Sequence, residues 1–63
     1  MSNNLENTYN ESLVELRKFK RIPKIKEWNK IAAEKCLMST ISLRYYSGKS
    51  FIEVFKESRK YFS

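Results

Sequence analysis

A compact all-α bundle of three to four short helices, with a helix-turn-helix-like unit, is the fold this 63-residue sequence predicts. Three observations predict it. Apolar residues recur at three- and four-residue intervals, the spacing of one helix face. Serine, threonine, proline and glycine stand where such segments start and stop. One glycine and one proline are too few for the many tight turns of an all-β fold.

The first helix is expected over 8–20. Thr8 followed by Glu11 forms a capping-box pattern, and Leu5, Tyr9, Leu13 and Leu16 fall on one stripe with Phe19 at its edge. Ile22-Pro23 ends the segment, because the residue before proline avoids helical dihedrals. Pro23 then suits the first position of a second helix, expected over 24–36. Ile25, Trp28, Ile31, Ala32 and Cys36 share its apolar face, with Trp28 as core anchor and Cys36 as a small buried hydrophobe. Lys26, Glu27, Lys30 and Glu34 face away.

A third, short helix is expected from Ser39 or Thr40 to Ser47, with Ser39 as N-cap and Gly48 supplying the left-handed C-terminal residue. The fourth runs over 51–61, opened by a second capping-box pattern, Ser50 and Glu53. Phe51, Val54, Phe55, Ser58 and Phe62 line one side, with Tyr61 at its margin. Residues 1–7 are polar and terminal, so a flexible N-terminus is expected there and a single helical domain over 8–63.

Residue types narrow the function. No histidine is present, which removes Ser-His-Asp and Cys-His catalysis. One cysteine allows no internal disulfide, and without histidine only carboxylates are left as metal ligands. The seven glutamates fall on polar faces or helix starts, with no aspartate to add to them. A binding protein without a cofactor, small-molecule substrate or catalytic residues is therefore expected. The start MSNNLENTYNES has no basic segment and no apolar run, and no stretch is long enough to span a bilayer. With its lone thiol the chain is expected in the cytoplasm.

Net charge is +6, distributed unevenly. Residues 1–16 carry three glutamates and no basic residue, whereas residues 17–63 carry all thirteen basic residues and four acidic ones. Six of the ten residues from Arg17 to Lys26 are basic. Such a surplus points to an anionic partner, and double-stranded DNA is the expected one.

The second and third helices, with a short connection, have the order of a helix-turn-helix unit. Ala32 takes the small-residue place where the helices cross. The glycine often found in the turn is missing, and Cys36-Leu37 stands there. Two registers are open for the third helix. Either Leu43 and Tyr46 face the core and Thr40, Ile41, Arg44 and Tyr45 face out, or Ile41 and Tyr45 face in. The first is preferred, because it presents a guanidinium able to bond guanine or phosphate beside a hydroxyl and an aromatic ring. The candidate DNA-binding residues are Arg17, Lys18, Arg21, Lys24, Lys26, Thr40, Arg44, Tyr45 and Lys49. Lys20 and Lys30 extend the basic run.

Residues 21–55, RIPKIKEWNKIAAEKCLMSTISLRYYSGKSFIEVF, resemble the short helical DNA-binding repeat found beside HNH-type homing endonucleases. The resemblance rests on Pro23, Leu37-Met38-Ser39, Ser42-Leu43 with Arg44 and Tyr45, Gly48 and Phe51. It implies a module that positions a partner on DNA, with Arg44 and Tyr45 on the DNA-facing helix. No nuclease motif accompanies it, so cleavage is not implied. The Lys, Ile, Asn, Tyr and Ser bias is similar to that of small proteins of AT-rich bacteria and their phages.

Two function classes follow. One is a DNA-binding transcriptional regulator or recombination accessory factor, acting as a homodimer or with a protein partner. The other is a protein–protein module whose terminal aromatics bind and modulate an enzyme such as a recombinase or polymerase. RNA, through stacking of aromatics on unpaired bases, is a further alternative.

Overall fold

The computed structural model describes residues 4–61, which form four helices in sequence: α1 (Asn4–Arg17), α2 (Ile25–Lys35), α3 (Thr40–Ser47) and α4 (Phe51–Tyr61). The fold is an all-α bundle. The expectations placed on residues 1–3, on Phe62 and on the Tyr61 side chain lie outside the described residues.

Helix α1 begins at Asn4, four residues before the expected cap at Thr8, so residues 4–7 are helical. Thr8 is interior to the helix, and its carbonyl accepts the Ser12 hydroxyl at 2.8 Å. Tyr9, Leu13 and Leu16 are buried on one face, together with Ser12. Leu5, expected on that stripe, is 67% exposed because it stands a full turn before the first buried residue. Bonds from Lys18 N–H to the Glu15 carbonyl and from Phe19 N–H to the Leu16 carbonyl, both 3.1 Å, tighten the last turn.

Pro23 is buried, but it is not the first helical residue. Lys24 is the extended N-cap, and its carbonyl accepts the Trp28 N–H at 2.9 Å. Trp28 and Ala32 are buried and Ile31 is partly so, as their spacing requires. Two residues of the expected apolar face depart from it. Ile25 opens the helix and projects past the core, and Cys36 is exposed in the left-handed region at φ 58°. The N–H groups of Cys36 and Leu37 both return to the Ala32 carbonyl, which ends α2 abruptly. Cys36 therefore turns the chain rather than filling the core.

Helices α3 and α4 have the expected bounds and caps. Ser39 Oγ accepts the Ser42 N–H at 3.3 Å, and Gly48 at φ 73° donates its N–H to the Arg44 carbonyl. Ser50 and Glu53 exchange reciprocal 3.3 Å bonds, Ser50 N–H to Glu53 Oε1 and Glu53 N–H to Ser50 Oγ.

Helix α4 packs most extensively along α1 and then on α3. Val54, Phe55 and Ser58 are buried there, and the Ser58 hydroxyl is satisfied by the Phe55 carbonyl at 2.6 Å. Trp28, fully buried, centres the core. Phe19 meets its ring edge-on at 6.4 Å and Phe51 lies 6.4 Å away on another side. Leu13, Leu16, Ala32, Leu43 and Val54 complete the interior.

Candidate nucleic-acid interface

The placement of α3 begins with polar groups at the α2–α3 connection. The Trp28 indole Nε1–H donates to the Met38 carbonyl at 2.9 Å, and the Met38 N–H donates to Ser12 Oγ at 3.0 Å. Ser12 in turn donates to the Thr8 carbonyl. Both polar groups of one connecting peptide residue are thus held, one by α2 and one by α1. The next attachment is Asn29, whose Oδ1 accepts the Thr40 N–H at 2.9 Å. That bond satisfies an N-terminal donor of α3 and ties it to the side of α2. A connection of four residues, 36–39, held by Ser12, Trp28 and Asn29, sets the direction in which α3 points.

On α3, Leu43 is fully buried, while Ile41 is 65% and Tyr45 85% exposed. This is the register with Thr40, Ile41, Arg44 and Tyr45 outward. Tyr46 departs from the expectation that it shares the core with Leu43. It is 42% exposed and lies against the Tyr9 ring at 4.8 Å between centroids. Its position three residues after Leu43 rotates it toward α1, where it covers Tyr9 instead of entering the interior. Burial holds the Tyr9 phenol above its ordinary range, with the Glu57 charge adding to the effect.

The expected DNA-binding residues separate into two groups. The first comes together around the start of α2. Arg21 and Lys24 line a groove with Phe19, Lys20, Pro23 and Glu27. Thr40 and Arg44 line another with Ile25, Ile41, Ser50 and Phe51, and Ile25 is the residue between Lys24 and Lys26. Tyr45 adjoins Ile41 and Arg44. Among the described residues Lys20, Arg21, Lys24, Lys26, Lys30 and Arg44 make no ion pair.

The second group is engaged in the fold. Lys18 and Lys35 both bond Glu15, at 3.2 and 3.0 Å, and hold its carboxyl below the ordinary range, the Lys35 bond contributing most. Lys49 turns to α4 and pairs with Glu57, which raises the Lys49 ammonium. Arg17 is half-buried, and its Nε has no hydrogen-bond partner. Arg59 also serves the fold: its guanidinium donates to the Phe19 carbonyl at 2.8 Å and lies over the Phe55 ring. The unpaired cations at and beside the outward face of α3 are therefore Arg44 and those at the start of α2, Lys20, Arg21, Lys24 and Lys26.

Sequence reasoning did not find Ser12 or Asn29 as positioning groups. Ser12 lies one residue before Leu13 on the buried stripe, and Asn29 directly follows Trp28; neither has a distinctive pattern. It also assigned Ile25 to the core, whereas the residue borders the outward face of α3. Compared with protein families, curated proteins and solved structures, the chain gives no match.

Proposed function

We propose that this protein is a small DNA-binding module that presents the outward face of α3 to the major groove. The observation that carries the reading is the juxtaposition of that face with unpaired cations. Arg44, Ile41 and Tyr45 stand beside a helix start that carries Lys24 and Lys26, and residues 36–52 contain no acidic residue. In this reading Lys20, Arg21, Lys24, Lys26 and Lys30 bond phosphates and fix position, while Arg44 reaches a base edge. The resemblance of residues 21–55 to repeats beside HNH-type endonucleases supports the same assignment. One eight-residue helix reads few base pairs, so specific regulation or recombination would need a second copy or a partner protein.

Anisotropy of a labelled mixed-sequence duplex tests the reading. Five phosphate contacts imply a loss of affinity of roughly 500-fold between 50 and 200 mM salt. Arg21→Glu together with Arg44→Glu should abolish binding at both salts. Unchanged binding by this double variant would remove the proposal.

A second reading is a protein-docking module that modulates an enzyme. It is favoured by the exposure of Tyr45 and Ile41 and of Ile25, which is 57% exposed. It predicts that Tyr45→Ala abolishes co-purification of a single protein while leaving duplex DNA without effect.

A further inference from the structure

Ile41 and Arg44 stand one turn apart on the exposed side of α3, and both border the groove completed by Ile25, Thr40, Ser50 and Phe51. The side of the groove contributed by Ile25, Ile41 and Phe51 is apolar, and Arg44 gives it a cationic edge. Lys24 and Lys26 flank Ile25, and the segment that supplies α3 carries no acidic side chain. An occupant complementary to this surface has negative charge outside and apolar groups within reach of an isoleucine. The major groove of a duplex has that arrangement, with phosphates on its rims and the thymine 5-methyl on its floor.

The spacing agrees with such an occupant. Three residues along a helix rise about 4.5 Å, and stacked base pairs repeat about every 3.4 Å. Two side chains separated in this way meet neighbouring base pairs. A guanidinium pairs with guanine O6 and N7, and an aliphatic side chain packs on the thymine methyl.

We propose that Ile41 reads a thymine methyl beside a guanine held by Arg44, so that the preferred ligand is duplex DNA with adjacent thymine and guanine in the major groove. Tyr45, at the margin of the pair, reaches the phosphate rim through its hydroxyl. The inference rests on the DNA-binding reading above and adds to it the base class recognised.

The test is selection from a randomised duplex library with the full chain at low salt, followed by resynthesis of the enriched duplex with deoxyuridine replacing each thymidine. One thymidine should prove critical, its replacement lowering affinity roughly fourfold, the worth of a single buried methyl. Ile41→Ala should lose a similar factor and become indifferent to the replacement, whereas Ile41→Val keeps the discrimination. Exposure of Ile41 allows these variants to fold, which circular dichroism checks. Binding without enrichment overturns the inference but leaves salt-sensitive DNA binding in place, as does full thymidine preference in Ile41→Ala. Absence of duplex binding at low salt removes the DNA-binding reading itself, and the inference with it.

Discussion

Replacing Ser12 by alanine should destabilise the protein by about 1–2 kcal/mol, although it removes a single oxygen atom. Ser12 is fully buried and its hydroxyl accepts the Met38 N–H at 3.0 Å. Met38 is itself buried and lies in a connection with no ladder to offer another acceptor. An unsatisfied buried donor costs about 1–3 kcal/mol. Alanine returns roughly 0.5 kcal/mol through its better helix propensity. The Thr8 carbonyl loses only a second partner, since it also lies within the α1 ladder. No cavity term is added, because the two side chains are nearly equal in size. A domain of this length has a total stability of about 3–9 kcal/mol, so the loss is a large fraction of it. The midpoint of thermal unfolding should fall by about 5–15 °C. Urea unfolding followed by far-UV circular dichroism and by the fluorescence of Trp28 measures the change. Ser42→Ala, on an exposed position of α3, should stay within about 0.5 kcal/mol of the parent protein. A Ser12→Ala protein as stable as the parent would refute the claim that α1 holds the α2–α3 connection through this bond.

Cys36→Gly should stabilise the fold by about 1 kcal/mol, because an exposed L-residue in the left-handed region is replaced by one that occupies it freely; a lower unfolding midpoint would contradict this. Gly48→Ala should cost about 1 kcal/mol from its positive φ alone, since an added Cβ would meet no atom within 4 Å. Glu15 adds a pH dependence. Its carboxyl lies below the ordinary range in the folded state, so its contribution is complete above the unfolded value near 4.5 and is lost as pH falls through the folded one. Stability should therefore decline below about pH 4.5, and part of the decline should vanish in Glu15→Gln.

The elements most legible in the sequence are those closed by local chemistry. Ser39 and Gly48 bracket α3 within eight residues, and Ser50 and Glu53 open α4 directly after a glycine turn. Ser39, Ser50 and Glu53 make the boundary hydrogen bonds with their side chains, and Gly48 ends α3 through its left-handed backbone and its own N–H. Thr8 and Glu11 have the same pattern without its effect. Nothing before Thr8 breaks a helix, so α1 propagates back to Asn4 and the threonine stays interior. Periodicity located Leu13, Leu16, Trp28, Ala32 and Val54 correctly, because these residues lie where the other helices close over the stripe. It misplaced Leu5, Ile25 and Cys36, which occupy helix ends where the partner helix no longer covers the stripe. For α3 the sequence leaves two registers open, because Ile41 and Tyr45 lie almost opposite Leu43, and only the burial of Leu43 in the fold carries Ile41 and Tyr45 to the outward side. The groups that aim α3 were not legible. Ser12, Trp28 and Asn29 act across 10 to 26 residues of sequence on single peptide groups, and residue type alone does not encode such pairings. Charge counting likewise joined Lys18 and Lys49 to the basic surface, whereas Glu15 and Glu57 neutralise them in the fold.

The central claim is that the outward face of α3 and the cations at the start of α2 together form the surface that meets DNA. Titration of the isotopically labelled protein with a short duplex, followed by amide and arginine side-chain NMR signals, tests it most directly. Perturbations should concentrate at Thr40, Ile41, Arg44 and Tyr45 and at Arg21, Lys24 and Lys26, and diminish with added salt. Perturbations confined to Lys49, Lys56 and the exposed side of α4, or none at low salt, would contradict it.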